Sequence, residues 1–356
     1  DILLDAKDEM EGARTVRHPD SPDTELPKEL MLDASQLSSE LIVRIGQVQE
    51  WTPMDRVAVG FPRMEPRAMR AIMEQVAYAF MSPSRNGPED TPDLVLLPEV
   101  SIPQPEVPTM RDLVARTGRA ALAGLYWREL KPVYRACYGT APVRKWFVNE
   151  AELVVPFGHH DRGPPSIRWY RVQKPLPAHN EAGLAQALSA QSPSTTWRIL
   201  RGHRWYRFLH RQWGDFTISI CADLIDTAPW RSLRGELLHL LMVAFNKDVD
   251  LYDALTWVRA YETYVNLVAV NHGKCGGSFL WTPRRSHARE LARMRGKELF
   301  VIADVPIPVK DLLQAQRHGV RDAVSTAACD WAGSQHKPSA FKSPPPGFQR
   351  RAILPR

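Results

Sequence analysis

The sequence predicts an α/β fold, and three observations carry that prediction. Apolar runs short enough to be buried strands alternate with stretches of helical period between residues 41 and 306. No shift in composition divides that stretch, so it reads as one domain. A chain of 356 residues with a hydrophobic fraction of 44% can also bury the large core that such a fold needs.

The elements follow in order. Leu41 to Gln49 is the first expected strand. Met69, Ile72, Met73, Val76 and Phe80 then recur at three- and four-residue steps, which predicts a helix with one apolar face. Asp93 to Leu97 is an apolar run of the kind buried on both faces, and it stops at Pro98 and Glu99. Thr109 and Asp112 suggest a capping box for a short helix closed by Gly118, with a strand from Ala120 to Trp127 after it. Residues 146–157 and 167–174 read as two strands joined by the polar loop His159 to Pro165. Tyr206 to His210 and Phe216 to Cys221 flank Gly214-Asp215, a hairpin signal that puts Cys221 at a strand end. Leu237 to Phe245, a helix from about Asp250 to Tyr264, Val265 to Asn271, Ser278 to Thr282 and Glu298 to Val305 complete the alternation.

Charge is spread unevenly. Residues 1–40 carry eleven acids against four bases, or −7, so the remainder must carry +13 to reach the net +6. That segment therefore reads as a linker or arm, residues 41–306 as the α/β domain, and residues 307–356 as a helix followed by a basic, proline-rich tail. The opening at Asp1 rather than methionine suggests a processed chain or one domain of a longer polypeptide. A charge of +13 over some 300 residues suits an ordinary solvated surface, and nucleic acid is not the favoured partner. The basic and aromatic stretch around Arg204, Trp205, Tyr206 and Arg207 is better read as a hairpin with one wet face. No apolar run is long enough to span a bilayer and no secretory signal is present, so a soluble cytoplasmic protein without a membrane partner is expected. Cys137, Cys221, Cys275 and Cys329 make no metal-ligand spacing, and His159, His160 and His179 read as loop decoration. Free thiols are expected, with neither a zinc site nor a disulfide framework.

Three segments place reactive groups where strands should end: Leu96-Leu97-Pro98-Glu99, Gln173-Lys174-Pro175-Leu176-Pro177 and Ile220-Cys221-Ala222-Asp223. Their order and local setting resemble those of the nitrilase superfamily of carbon-nitrogen hydrolases. The resemblance implies Glu99, Lys174 and Cys221 as catalytic residues, with Glu181, Ala222 and Asp223 as accessory ones. Arg259-Ala260-Tyr261-Glu262, Asn271 and Gly276-Gly277-Ser278 resemble further motifs of that family, which makes Arg259, Glu262, Asn271 and Ser278 structural or pocket candidates. Gln49 matches a glutamine that commonly ends its first strand. The sequence departs from the family after the nucleophile, where the family often has an aromatic residue and then Arg-Phe-Pro-Glu but this chain reads Ala222-Asp223-Leu224-Ile225-Asp226-Thr227-Ala228-Pro229-Trp230, and at Thr263 and Arg284.

The resemblance implies an αββα sandwich that dimerises into a four-layer arrangement, hence a homodimer or higher homo-oligomer, and it implies neither a metal nor an organic cofactor. It also implies cysteine-dependent hydrolysis of a small amide, nitrile or carbamoyl compound through a thioester or thioimidate. A neutral thiol is a weak nucleophile, so a carboxylate must take its proton and a cation must meet the charge that develops on the substrate. Two other readings stand beside hydrolysis: amide or acyl transfer, and a nitrilase-like interaction module in a larger fusion, such as a defence-associated reverse transcriptase.

Overall fold

Strands with apolar residues on both faces need cover on both faces, and the computed structural model supplies it with a second sheet on one side and helices on the other. It describes residues 13–17, 37–49, 64–84, 92–130, 143–157, 166–191, 195–202, 204–210, 212–317, 341–342, 344–346 and 348. Cys137, Cys329, the His159 to Pro165 loop and most of the acidic segment lie outside the described residues.

In chain order the elements are β1 (Ala13–Arg17), β2 (Glu40–Gln47), α1 (Pro66–Met81), β3 (Leu94–Ile102), α2 (Val107–Thr117), β4 (Ala120–Leu125), β5 (Arg128–Leu130), β6 (Val143–Val148), β7 (Glu150–Phe157) and β8 (Ser166–Gln173). Next come α3 (His179–Ala190), β9 (Thr195–Leu200), β10 (Arg204–His210), β11 (Gly214–Ile220), α4 (Ala228–Leu233), β12 (His239–Ala244) and α5 (Val249–Thr263). The series closes with β13 (Asn266–Asn271), β14 (Ser278–Trp281), β15 (Glu290–Met294) and β16 (Val301–Pro308). A helix over 310–317 follows.

Six strands form one sheet in the order β16-β2-β3-β4-β7-β8, and seven form another in the order β1-β10-β11-β12-β13-β14-β15. A third sheet, β5-β6-β9, stands apart. The centres of both large sheets are parallel, β2-β3-β4 in one and β11-β12-β13 in the other, with α1, α2, α4 and α5 as their crossovers. Strand β3 shows why two covers are needed. Leu94 and Leu96 join the core shared with Ile218, Leu241 and Val268 of the second sheet, whereas Val95 and Leu97 pack with Val76 and Phe80 of α1 and Met110 of α2. With α4 and α5 on the far side of the seven-stranded sheet, the described elements form an αββα arrangement.

Several expectations change in detail. Helix α1 is as the periodicity predicts, but α2 begins at Val107, two residues before Thr109. Thr109 donates to the Glu106 side chain instead of capping, while Gly118 closes the helix at φ 67°. Residues 146–157 are not one strand: they divide at Asn149, and β6 and β7 enter different sheets. Strand β10 has no wet face along Trp205 and Arg207, because Trp205 packs edge-on against Trp230 in the core and Arg207 forms ion pairs with Asp215 and Glu236. Strands β1, β5, β9 and β15 and helices α3 and α4 are additional to the predicted set.

Buried charge ties the layers. Arg44, 1% exposed, pairs with Asp304 of β16 at 2.5 Å and donates to the carbonyls of Ala79 and Ser82 at the end of α1. Described parts of the tail lie on the body: Phe341 bridges to Arg284, and the carbonyls of Pro345 and Pro346 accept from Arg234. No described helix is long and apolar enough to cross a membrane.

The β3–β4 pairing is interrupted where the site begins. Leu97 pairs with Ala123 and Ile102 with Leu125, so Pro98 to Ser101 bulge outward opposite Gly124. Proline has no N–H for the ladder, and Val100 takes a φ of 60° that a β-branched residue avoids. A Cβ on Gly124 would overlap the Glu99 Cα and stand 2.7 Å from the Pro98 carbonyl oxygen. Gly124→Ala is therefore expected to destabilise the protein by about 1–3 kcal/mol in urea unfolding. An unchanged midpoint would mean that the bulge does not require this close approach.

Candidate active site

Each group of the candidate site emerges where a strand stops or bulges. Glu99 sits in the β3 bulge, Lys174 directly follows β8, and Cys221 directly follows β11. Cys221 opens a 3₁₀ turn, Cys221–Leu224, with a φ of 48°. Positive φ in a residue other than glycine costs about 1–3 kcal/mol, and here it turns the chain sharply at the sulfur-bearing residue. The backbone of Lys174 is fixed on both sides, its N–H donating to the Asn149 carbonyl and its carbonyl accepting from Gly202. Only glycine fits at 202, because a Cβ there would strike the backbone of Gln173.

The side chains converge. Lys174 Nζ lies 2.8 Å from Glu99 Oε1 and 3.2 Å from Glu181 Oε2. The second Glu99 oxygen accepts the Phe245 N–H at 2.9 Å. The Cys221 thiol lies 4.0 Å from the Phe245 carbonyl, to which it donates, and it is close enough to the Glu99 carboxylate to feel its charge, so one carboxyl group acts on both the sulfur and the ammonium. Asp223 does not reach the sulfur. Its two oxygens accept the N–H groups of Leu176 at 2.9 Å and Ile220 at 3.0 Å, which ties the Lys174 segment to the cysteine turn.

Glu181 lies in the first turn of α3, not in a surface loop. It is buried, accepts the Ala178 N–H at 2.6 Å, and receives the Trp127 indole N–H at 3.4 Å. Asn149, which the sequence reading did not select, donates from Nδ2 to Glu99 at 2.6 Å and also to Glu181. A visible signal for it exists in hindsight: Asn149 is the polar interruption at which β6 gives way to β7. Ala222 is buried beside Cys221 in the turn.

The outer candidates act at a distance. Arg259 donates to the Leu224 carbonyl and pairs with Glu262 at 2.6 Å, so this pair anchors α5 to the cysteine turn. Asn271 brackets Asn246, accepting its N–H at 2.8 Å and donating to its carbonyl at 2.9 Å. Ser278 accepts the Asn271 N–H and donates to Gln47. Gln49 donates nothing to the cluster; its N–H meets Gln75. Among the described residues no group of three or more His, Cys, Asp or Glu side chains is arranged to hold a metal ion.

Burial and charge set the protonation pattern. Burial pushes the Cys221 thiol up to about 12, and the Glu99 carboxylate adds to that while Lys174 opposes it. Burial alone would lower Lys174, but its coupling to Glu99 first, and then to Cys221, Glu181 and Asp223, holds it well above the ordinary lysine value. Burial raises Asp223 to about 8, against Lys174 and its two backbone donors, which lower it. The resting site thus holds a charged ammonium beside a protonated thiol.

No family model matches this sequence, and no curated protein matches it. Solved structures do. Yeast Nit3 from Saccharomyces cerevisiae, a member of branch 10 of the nitrilase superfamily, superposes with a TM-score of 0.51 at 13% identity, over 78% of this chain and 94% of Nit3. The chain has a nitrilase-like fold. A Nesterenkonia sp. amidase gives a TM-score of 0.48 at 15% identity, over 85% of this chain and 99% of the amidase. The acrylamide complex of the amidase from Nesterenkonia sp. AN1 gives 0.49 at 14%, over 83% and 98%. At these identities the likeness is one of fold, and roles for individual side chains rest on the geometry above.

Two measurements check that geometry. Removing the ammonium in Lys174→Met leaves Glu99 and Glu181 facing each other in the interior, and a loss of about 3–5 kcal/mol in unfolding free energy is expected. Neutralising both carboxylates as well, with Glu99→Gln and Glu181→Gln, should recover most of it; no recovery would contradict the charge cluster. The thiol gives a second test. The folded state keeps until about pH 12 a proton that the unfolded chain gives up near 9, so stability falls as pH rises between those values. Cys221→Ala should flatten that part of the stability curve relative to the parent protein.

Proposed function

We propose that this chain hydrolyses a non-peptide carbon-nitrogen bond in a small amide, nitrile or carbamoyl compound, with Cys221 as nucleophile. One observation carries the reading: a thiol and an ammonium from two strand ends and a carboxylate from a strand bulge, all distant in sequence, meet in one buried cluster. A structural ion pair needs no thiol at its centre. A core cysteine needs neither a positive φ nor a carboxylate beside it.

The proposed sequence begins when Glu99 takes the thiol proton as the sulfur attacks the substrate carbon. Negative charge then develops on the carbonyl oxygen, and it is met by the Lys174 ammonium and the Ala222 N–H. Collapse breaks the carbon-nitrogen bond, and Glu99 passes its proton to the departing amine, leaving a thioester on Cys221. Water deprotonated by Glu99 attacks the thioester, the acid departs, and the proton returns to sulfur. For a nitrile, the same attack gives a thioimidate. Glu181 and Asn149 hold Glu99 and Lys174 in register throughout, as positioning residues.

Thiol-directed electrophiles test this directly. With iodoacetamide followed by peptide mass analysis, Cys221 should label with a rate that falls sharply in Glu99→Gln, whereas buried Cys275 should be indifferent to that substitution. Intact-mass screening against small amides should trap an acyl adduct that Cys221→Ala abolishes, and Lys174→Met should slow its formation by about 10²–10³-fold. Equal behaviour of Cys221 and Cys275 in parent and variant would sink the proposal.

A further inference from the structure

Two neutral side chains also face the Cys221 sulfur. The Tyr252 hydroxyl of α5 lies 3.8 Å from Sγ, and the Asn246 amide nitrogen lies 3.9 Å from it. Tyr252 is 5% exposed, so bulk water does not serve its hydroxyl. Asn246 is held in place by the bracket from Asn271, and its side-chain oxygen accepts the Asp248 N–H at 2.7 Å. With that oxygen engaged, the amide N–H groups point back towards Tyr252 and the sulfur. Across the 3.8 Å contact either the phenol or the thiol can donate, but once the sulfur has lost its proton only the phenol has one to give.

The charges around the sulfur explain what such a donor would do. Glu99 from β3 repels a thiolate, Asp223 shares its turn, and Lys174 after β8 is already compensated by Glu99 and by Glu181 from α3. The attraction left over for a second anion is small. A donor that carries no charge of its own adds stabilisation without upsetting this balance.

We propose that Tyr252 is the hydrogen-bond donor that, together with the Asn246 amide, stabilises the Cys221 thiolate as its proton leaves for Glu99. The inference rests on the reading of Cys221 as the nucleophile and extends it to a residue on α5. Burial raises the phenol well above its ordinary value, followed in effect by the neighbouring thiol, so the hydroxyl stays a donor and does not compete with Glu99 for the proton. In the acyl-enzyme the same hydroxyl lies against the thioester sulfur, and it meets the charge that returns there when water attack expels the thiolate.

The test is the pH profile of Cys221 alkylation in the full chain, followed with iodoacetamide and again with acrylamide, and assigned by peptide mass. Tyr252→Phe keeps the ring and removes only the hydroxyl. The expected result is a profile displaced upward by about one pH unit, so that both reagents react about tenfold more slowly at any pH below the inflection. The urea midpoint should hardly move. Asn246→Ala supplies a second variant and should displace the profile in the same direction. Superimposable profiles for the parent protein and Tyr252→Phe would overturn the inference, as would slowing with one reagent only, which signals altered access. Failure of the hydrolase reading looks different: the parent protein itself would show no dependence on Glu99→Gln, whatever Tyr252→Phe does.

Discussion

A lysine ammonium shut away from water survives only where carboxylates replace its hydration, and the candidate site is organised around that requirement. The side chains of Lys174, Glu99 and Glu181 are 2%, 4% and 3% exposed. One cation between two carboxylates leaves a surplus negative charge, and that surplus helps to keep the neighbouring thiol protonated at rest. In the proposed reaction the proton moves from sulfur to Glu99. That transfer creates one anion and removes another, so the total charge in the cavity stays the same. A thiolate formed by losing its proton to solvent would instead add a second surplus charge, which the low-dielectric interior disfavours.

Holding such a cluster together demands stiff supports, and these have a common form. A backbone group or an amide spans two functional segments at once. Asp223 joins the turn of Cys221 to the segment of Lys174. Asn149 joins Glu99 to Glu181, and its own carbonyl fixes the Lys174 backbone. The residues beside Asn149 continue the pattern: Glu150 and Glu152 bind Arg128, Arg111 and Arg171, which lock β7 to β8 and to α2 just before Lys174 leaves the strand. The unfavourable φ values at Val100 and Cys221 persist because these supports over-determine the local chain.

How much of this can be read in the sequence depends on whether a feature is local. Parallel strands such as Leu94–Leu97 and His239–Ala244 declare themselves as unbroken apolar runs, and the residues at their ends stand out for that reason. Glu99, Lys174 and Cys221 are visible in this way, and the structure brings all three together. Glu181 is visible as a residue but not as a helical one, because α3 is rich in alanine and lacks a continuous apolar stripe. The split at Asn149 shows in the sequence only as a polar interruption, because β6 and β7 share strand-like composition and differ mainly in which partners they meet. Tyr252 is hidden more deeply. On a helix with a buried face, one more aromatic residue looks like core, and only the approach of α5 to the cysteine turn distinguishes it. Strand β1 is masked by its acidic and proline-rich surroundings, and its effect on β10 is long-range pairing that no local pattern encodes.

The two main sheets each supply part of the site, so its geometry is a property of their packing. Glu99 comes from the six-stranded sheet, while Cys221, Phe245 and Asn246 come from the seven-stranded one. The hydrogen bond from the Phe245 N–H to Glu99 crosses between them, and so does the approach of the thiol to the same carboxylate. Leu94 and Leu96 of β3 lie in the core shared with Leu241 and Val243 of β12, so the apolar interface fixes the distance that those polar contacts then use. Close-packed interiors yield little when pushed, and an interface of this kind holds a proton donor and acceptor in register without help from the bound substrate. The parallel direction of both strand sets matters for the same reason. It brings the carboxyl ends of β3, β11, β12 and β13 to one end of the sandwich, where a sharp turn, a bulge and two short loops can all address a single atom of sulfur.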